Sequence, residues 1–132
     1  MDKQRKQINA NSKAKSILVI DDNCTACLLI NEILSDYNIR IPTANTGNIA
    51  LWYIENFKKF DLIIIDIRLP DMNGFDLLCR IKATSPSVPI IAHTALVSKQ
   101  IKEICLNCGF SEFIEKPSDI DSFISIINKY IF

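Results

Sequence analysis

The chain has 132 residues, which fits one compact domain, and 48% of them are apolar, so it can bury a hydrophobic core. No apolar run approaches the roughly 18 residues that a membrane span needs, and no apolar segment near the N-terminus indicates a secretory signal. The sequence therefore predicts a soluble, cytoplasmic domain that makes no membrane contact of its own.

The formal net charge is zero, but the charge is unevenly distributed. Residues 1–15 carry five basic side chains and one acidic side chain, whereas the remainder carries ten basic and fourteen acidic ones. A mildly acidic body is a poor nucleic-acid binder, because phosphate contacts dominate such affinity. We therefore predict no nucleic-acid partner, a flexible polar and basic leader or linker over 1–14, and a folded domain over 15–132.

The first half of the chain predicts two strands and two helices. The apolar, β-branched run at 17–20 predicts a strand that is buried on both faces. Apolar residues at helical spacing between 26 and 37 predict an amphipathic helix, and a second helix follows at 47–57. The weaker strand predicted at 40–44 belongs at a sheet edge, because Pro42 has no N–H to donate.

The second half continues this alternation. It predicts strands at 62–65, 88–92 and 113–114, and helices that end near 83, at 108 (followed by Gly109) and at 131. Five strands that alternate with five helices predict an α/β fold with a parallel sheet covered by helices on both faces. In such sheets the ligand site lies at the carboxyl ends of the strands.

Polar residues follow the predicted strands at that edge. They are Asp21 and Asp22, Asp66, Thr94 and Lys116. Each could be an ordinary cap or turn residue, but together they share one chemistry. Three clustered carboxylates repel one another unless a cation neutralises them. The sequence predicts that this cation is Mg²⁺ and that Mn²⁺ can substitute for it. Beside that cation a carboxylate can attack phosphorus, while the lysine and the hydroxyl stabilise the phosphoryl oxygens.

From residue 15 to 132 the chain resembles the receiver domains of two-component response regulators. The matching motifs are Asp21-Asp22, the segment Asp66-Ile-Arg-Leu-Pro-Asp-Met-Asn-Gly74, Thr94-Ala95 and Lys116-Pro117. The resemblance implies a flavodoxin-like, doubly wound (βα)5 three-layer sandwich with five parallel strands in the order 2-1-3-4-5. An edge position for Pro42 agrees with that order.

The resemblance also implies roles for single residues in the phosphoryl chemistry. Asp66 would accept a phosphoryl group from a phosphohistidine, Lys116 would contact that group, and Thr94 would be the switch hydroxyl. Phe113 occupies the position of an aromatic that changes rotamer on activation, although an ordinary apolar strand residue would also fit there. Such a domain catalyses its own phosphorylation and dephosphorylation and is otherwise not an enzyme.

The implied Mg²⁺ ligands are Asp21, Asp22, Asp66 and the backbone carbonyl of Arg68. The implied partners are a histidine kinase or a histidine phosphotransfer protein, and a downstream protein that docks on the fourth helix, fifth strand and fifth helix. The resemblance also allows a homodimer.

Arg68 and His93 lie beside the predicted site residues in the sequence. The Arg68 side chain is free if only its carbonyl binds the metal, and we expect it to alter the lifetime of the acyl phosphate. His93 is predicted to point away from Thr94, because successive strand side chains alternate, and to be a packed residue rather than a phosphate carrier.

Two C-x-x-C pairs, at Cys24/Cys27 and Cys105/Cys108, invite a zinc or redox interpretation. Their helical spacing predicts instead that both pairs lie on buried helix faces as reduced thiols. In the implied fold the first and fourth helices lie on opposite faces of the sheet, so the pairs could not share one ion.

Three alternatives and one open question accompany this interpretation. A flavodoxin needs a phosphate-binding loop where two aspartates stand, and a haloacid-dehalogenase phosphatase needs an aspartate where Arg68 stands. A pseudo-receiver, which acts as a phosphorylation-independent interaction module, is the strongest rival. The domain is either a stand-alone regulator or the C-terminal receiver of a hybrid histidine kinase, and the polar leader favours the second.

Overall fold

The computed structural model describes residues 14–57, 59–96 and 98–132, so the predicted leader lies outside the described residues except for Ala14. The strands are β1 (Lys15–Ile20), β2 (Ile39–Arg40), β3 (Thr43–Ala44), β4 (Leu62–Ile65), β5 (Ile90–Thr94) and β6 (Glu112–Glu115). The helices are α1 (Cys24–Ile33), α2 (Gly47–Asn56), α3 (Gly74–Thr84), α4 (Lys99–Cys108) and α5 (Ile120–Ile131).

The sheet is parallel, with the strand order β2-β1-β4-β5-β6, and β3 also pairs with β1. The predicted second strand is split into two short segments on either side of Pro42. Both segments pair with β1, and the Pro42 carbonyl accepts a hydrogen bond from the Val19 N–H at 3.0 Å. Counted as one interrupted edge strand, β2 and β3 confirm the predicted order 2-1-3-4-5.

Each helix begins directly after a residue whose side-chain oxygen accepts a hydrogen bond from a backbone N–H three residues further on. These cap residues are Asn23, Thr46, Asn73, Ser98 and Asp119. At the other end of α4, Gly109 has a φ of 121°, a backbone conformation that glycine adopts readily. The caps place every helix start at the carboxyl end of a strand, where the polar residues are.

The helix predicted at 26–37 is shorter than expected. It ends at Ile33, and Leu34 leaves helical geometry with φ −98° and ψ 8°. Tyr37 nevertheless packs against the same apolar cluster from the turn that follows, which explains why the helical spacing continued to that residue. Within the described residues, each helix is too short or too polar to cross a bilayer.

The core has two halves, one on each face of the sheet. One half combines alternate strand residues with α2, α3 and α4: Leu18, Ile20, Ile63, Ile65, Ala50, Leu77, Ile81 and Cys105. The other combines the remaining strand residues with α1 and α5: Ile17, Val19, Leu62, Ile64, Ile30, Leu34, Phe123 and Ile127. Burying one such aliphatic side chain stabilises the fold by about 1.5–3 kcal/mol.

The cysteine pairs lie on opposite faces of the sheet as predicted, but their predicted burial is confirmed for Cys105 and wrong for Cys24 and Cys108. Helix α1 packs on one face of the sheet and α4 on the other, so the two pairs cannot bind one zinc ion. Only Cys105 is buried; Cys24 and Cys108 are exposed and Cys27 is partly buried. Side chains three residues apart point about 60° apart around a helix, so one can face the sheet while the other faces solvent.

Candidate functional site

The predicted site residues converge at the carboxyl end of the sheet. Asp21 and Asp22 follow β1, Asp66 follows β4, Thr94 is the last residue of β5, and Lys116 follows β6. The Asp66 N–H donates to the Ile20 carbonyl at 2.9 Å, so the ends of β1 and β4 are level. Sheet register therefore brings residues that are up to 95 positions apart into one site.

Asp21, Asp22 and Asp66 form an acidic cluster. Each offers a carboxylate oxygen, and these oxygens all lie within 4.8 Å of one another. Oxygens on opposite sides of one Mg²⁺ ion are about 4 Å apart, since each lies about 2.0–2.1 Å from the metal. The donor set consists of oxygen only, and its spacing requires small side-chain adjustments, so these three residues fit a Mg²⁺ ion.

Lys116 connects two of these carboxylates. Its Nζ donates to Asp21 Oδ2 at 2.5 Å and to Asp66 Oδ2 at 3.0 Å. Burial alone lowers the pKa of Lys116, but the hydrogen bonds to the two carboxylates outweigh burial and raise the pKa. The lysine is therefore an ammonium ion that lies between the Asp21 and Asp66 carboxylates.

Asp21 is the buried member of the acidic cluster, with 3% of its surface exposed. Burial raises the pKa of its carboxyl group, and the hydrogen bonds from Lys116 and from the Asn23 N–H offset only part of that rise. The Asn23 N–H lies 3.0 Å from Asp21 Oδ1. A further cation at this point would stabilise the charged form of Asp21, as a metal site requires.

Asp66 is held in place through both of its carboxylate oxygens. Oδ2 accepts from Lys116, and Oδ1 accepts from the Arg68 backbone N–H at 3.1 Å. The Arg68 side chain is exposed. The participation of the Arg68 carbonyl in metal binding stays a prediction.

Thr94 and Phe113 lie on the neighbouring strands β5 and β6. Thr94 is buried, and its hydroxyl accepts a hydrogen bond from the Leu96 N–H at 3.2 Å, so its hydrogen can be donated to another group. The Lys116 N–H donates to the Thr94 carbonyl at 2.9 Å, which joins the ends of β5 and β6. Phe113 is partly buried against the core half that contains α4, and its predicted rotamer change stays a prediction.

His93 lies on the opposite side of β5 from the core half that holds Phe113. Its ring centroid is 5.5 Å from that of Phe123 on α5, so it packs in the core as predicted. Burial first, and then the nearby Lys116 charge, lower the pKa of His93 to about 4, while Asp66 opposes the change. Within the described residues Nδ1 has no hydrogen-bond partner, so the histidine is a neutral, packed side chain.

The loop after β4 contains an interaction that sequence reasoning missed. Asp71 accepts hydrogen bonds from the Gly47 N–H at 2.8 Å and from the Asn48 N–H at 2.9 Å, at the start of α2. Desolvation raises the pKa of Asp71, but the backbone hydrogen bonds together outweigh it and lower the pKa. The loop that carries Asp66 is thereby tied to a second helix, 24 positions away in sequence.

Gly74 fixes the other end of the same loop. Its N–H donates to the Ile67 carbonyl at 2.7 Å, and a Cβ at this position would lie 2.7 Å from the Ile67 Cα. A backbone approach this close permits only glycine. The glycine therefore allows the loop to turn back against the backbone of Ile67, the residue that follows Asp66.

The sequence matches the profile of the response regulator receiver domain family over residues 17–128. It is 31% identical to the transcriptional regulatory protein ZraR of Escherichia coli K12 over 113 residues, which is 86% of this chain and 25% of that protein. It is 34% identical to the hybrid signal transduction histidine kinase M of Dictyostelium discoideum over 122 residues, 88% of this chain and 5% of that protein. The chain thus spans a quarter or less of the length of these relatives.

Solved structures show the same architecture. A CheY-like response regulator receiver domain protein from Methanospirillum hungatei has a TM-score of 0.81 and 30% identity, with 89% of this chain and 93% of that chain covered. The non-phosphorylated HemR receiver domain from Leptospira biflexa has a TM-score of 0.79 and 29% identity, with 88% and 93% covered.

Proposed function

The chain belongs to the response regulator receiver domain family, and we propose that Asp66 is the residue on which it accepts a phosphoryl group. The domain is a signalling domain of two-component systems. One observation carries the assignment of Asp66. Its carboxylate lies 3.0 Å from the Lys116 ammonium and shares a cluster with two other carboxylates that fit a Mg²⁺ ion.

We assign the metal ligands to Asp21, Asp22, Asp66 and the backbone carbonyl of Arg68. The bound Mg²⁺ supplies charge neutralisation at the phosphoryl oxygens. Mn²⁺ is proposed as a substitute because it accepts the same oxygen ligands. Asp21 is supported as a ligand by its burial, which makes a neighbouring cation favourable.

The reaction moves a phosphoryl group from a histidine nitrogen to a carboxylate oxygen. An Asp66 oxygen attacks the phosphorus in line, an O–P bond forms, and the N–P bond to the histidine of the donor breaks. Lys116 stabilises the charge on the phosphoryl oxygens, and the Thr94 hydroxyl donates a hydrogen bond to one of them. Attack by water later removes the group, so the domain catalyses both its phosphorylation and its dephosphorylation.

The Thr94 hydrogen bond converts this chemistry into a conformational signal. A phosphoryl oxygen on Asp66 favours whichever position of Thr94 donates to it, and the population shifts only by that difference in free energy. Phe113, on the neighbouring strand, is the aromatic that would fill the space vacated by Thr94. The proposed output surface is α4, β6 and α5, where Ile104, Leu106 and Ile120 are about half exposed.

The proposed partners follow from the chemistry of phosphoryl donation. The donor is a histidine kinase or a histidine phosphotransfer protein, and the receiver of the signal is a protein that docks on the output surface, with a homodimer as one form of such docking. We place the domain in the cytoplasm and assign residues 15–132 to it, with 1–14 as a linker. A hybrid kinase is the favoured parent, and a stand-alone regulator is the alternative.

The mass of the intact protein after incubation with acetyl phosphate tests this function. We expect a gain of one phosphoryl group that requires Mg²⁺ and is absent in Asp66→Asn. A folded wild-type protein that gains no phosphoryl group would instead support a pseudo-receiver, which no feature of the site favours. In the same assay Arg68→Ala tests the proposed effect of that side chain, because an unchanged rate of phosphoryl loss would contradict it.

A further inference from the structure

The two C-x-x-C pairs occupy opposite ends of their helices. Cys24 and Cys27 lie in the first turn of α1, whereas Cys105 and Cys108 lie in the last turn of α4. The same spacing therefore places the two pairs in different surroundings.

Burial strengthens this difference. Cys105 is completely buried, and burial raises the pKa of its thiol to about 11, so it is inert near neutral pH. Cys24 is exposed and Cys27 is partly buried, and both line a cleft of about 390 Å³ between α1 and the β3–α2 connection. A small reagent can reach the α1 pair and cannot reach Cys105.

The geometry of the α1 pair suits a disulfide bond. Residues three apart in an α-helix have Cα atoms about 5 Å apart, inside the range of about 4.4–6.8 Å that disulfides span. Cys24 is the first residue of the helix, so its backbone can adjust without breaking helical hydrogen bonds to preceding residues. Both cysteines line the same cleft.

The pair is also connected to the metal cluster. The Cys27 thiol donates to the Asp21 backbone carbonyl at 3.6 Å, and Asp21 also lines the cleft. Cys24 follows Asp22 by only two positions, so a bond between the sulfurs restrains the segment that carries two of the three carboxylates. A disulfide would remove the thiol donor and hold this segment in a new position.

We propose that Cys24 and Cys27 form a redox-sensitive disulfide that weakens Mg²⁺ binding at the neighbouring acidic cluster. Cys24 is exposed and Cys27 is partly buried, so Cys24 is the first to react and Cys27 is the resolving residue. The coupling rests on the proposed metal ligands, whereas the disulfide itself does not depend on them.

The oxidant is a low-molecular-weight disulfide such as oxidised glutathione. The Cys24 thiolate attacks one sulfur of the reagent, the S–S bond of the reagent breaks, and one thiol leaves with a proton from solvent. The Cys27 thiolate then attacks the Cys24 sulfur and the second thiol leaves. Two cysteine thiols are oxidised and one disulfide is reduced to two thiols.

The first experiment identifies the bond. Wild-type protein is treated with oxidised glutathione, remaining thiols are blocked with an alkylating reagent, and the peptides are weighed. We expect the peptide with Cys24 and Cys27 to be unalkylated and lighter by about 2 Da, while the Cys105/Cys108 pair stays reduced. A stable glutathione adduct on Cys24 without closure, or equal oxidation of the α4 pair, would overturn the proposal.

The second experiment measures the coupling by calorimetric titration of Mg²⁺ into the reduced and oxidised forms. Loss of partners that orient metal ligands commonly weakens affinity by about tenfold or more, and we expect a change of about that size on oxidation. Cys27→Ser cannot close and should keep the affinity of the reduced form after oxidant treatment, while Cys79→Ser should respond like wild type. Equal affinity of both forms would overturn the coupling, and absence of Mg²⁺ binding in the reduced form would contradict the proposed metal site instead.

Discussion

The interior and the carboxyl end of the same strands differ completely in character. Residues Leu62–Ile65 of β4 are fully buried and apolar, and the next residue is Asp66. In β1 the change is equally abrupt, from Ile20 to Asp21. The apolar interior stabilises the fold because it is buried. The carboxyl end instead contains three carboxylates, which repel one another unless a cation is bound. One position along a strand thus separates the residues that support the domain from those that perform its chemistry.

The largest expected effect tests the interior side of this comparison. Ile64→Ala should lower the free energy of unfolding by about 2–5 kcal/mol, because a cavity opens in a packed core. Phosphorylation of the protein that stays folded should be nearly unchanged. Urea denaturation measures the first quantity and acetyl phosphate labelling the second. The control Ile49→Ala, at a position that is 42% exposed, should change stability by about 0.5 kcal/mol or less.

A substitution at the carboxyl end should show the opposite pattern. Lys116→Met removes the ammonium beside Asp66, and the rate of phosphorylation should fall by about 100-fold or more, as when one charge-stabilising donor is lost. The control is Lys129→Met, because Lys129 also pairs with a carboxylate, that of Glu112, far from the site. An equal loss of phosphorylation rate in Lys116→Met and Lys129→Met would show that the position of Lys116 beside Asp66 is not what matters.

His93 lies between the two regions and should respond to pH. Its pKa is lowered to about 4 in the folded protein, whereas unfolding restores a pKa of 6.5, so the unfolded state binds the proton first. Stability should therefore fall as pH drops from about 6.5 to about 4, by up to about 3 kcal/mol. Lys116 and Asp66 are the charged groups that contribute to this shift. His93→Leu should fall less steeply in urea denaturation across this interval, and parallel curves would contradict this assignment.

The smallest effect is expected for Asp71, which lies at the carboxyl end of the sheet but outside the acidic cluster. Asp71 is acidic and exposed, yet its role is structural, because it accepts two N–H groups of α2. Asp71→Ala should lower the unfolding free energy by about 1 kcal/mol, the usual effect of losing a helix cap. Asp71→Asn retains one acceptor oxygen and should lose less. Thermal unfolding checks both, and a larger loss for asparagine than for alanine would refute the capping role.

The positions of the candidate site residues could be predicted from the sequence, because these residues lie at strand ends. Apolar runs located the strands, parallel order placed their carboxyl ends together, and Asp66 and Lys116 fell at those ends. The pairing of Lys116 with Asp21 and the capping of α2 by Asp71 could not be predicted, because each depends on distances between loops after folding. The burial of Cys24 and Cys108 was predicted wrongly because side chains three residues apart on a helix point in directions about 60° apart, and the spacing alone does not say which of the two faces the sheet.

The interruption at Pro42 also affects the hydrogen-bonding groups that the outer edge of the sheet exposes. An uninterrupted outer strand would offer a continuous ladder of N–H and C=O groups to a neighbouring molecule, and such ladders seed aggregation. Here the outer strand is divided into two segments of two residues each, and Pro42, one of the two residues between them, has no N–H. The proline thus protects this border of the sheet against growth by strand addition.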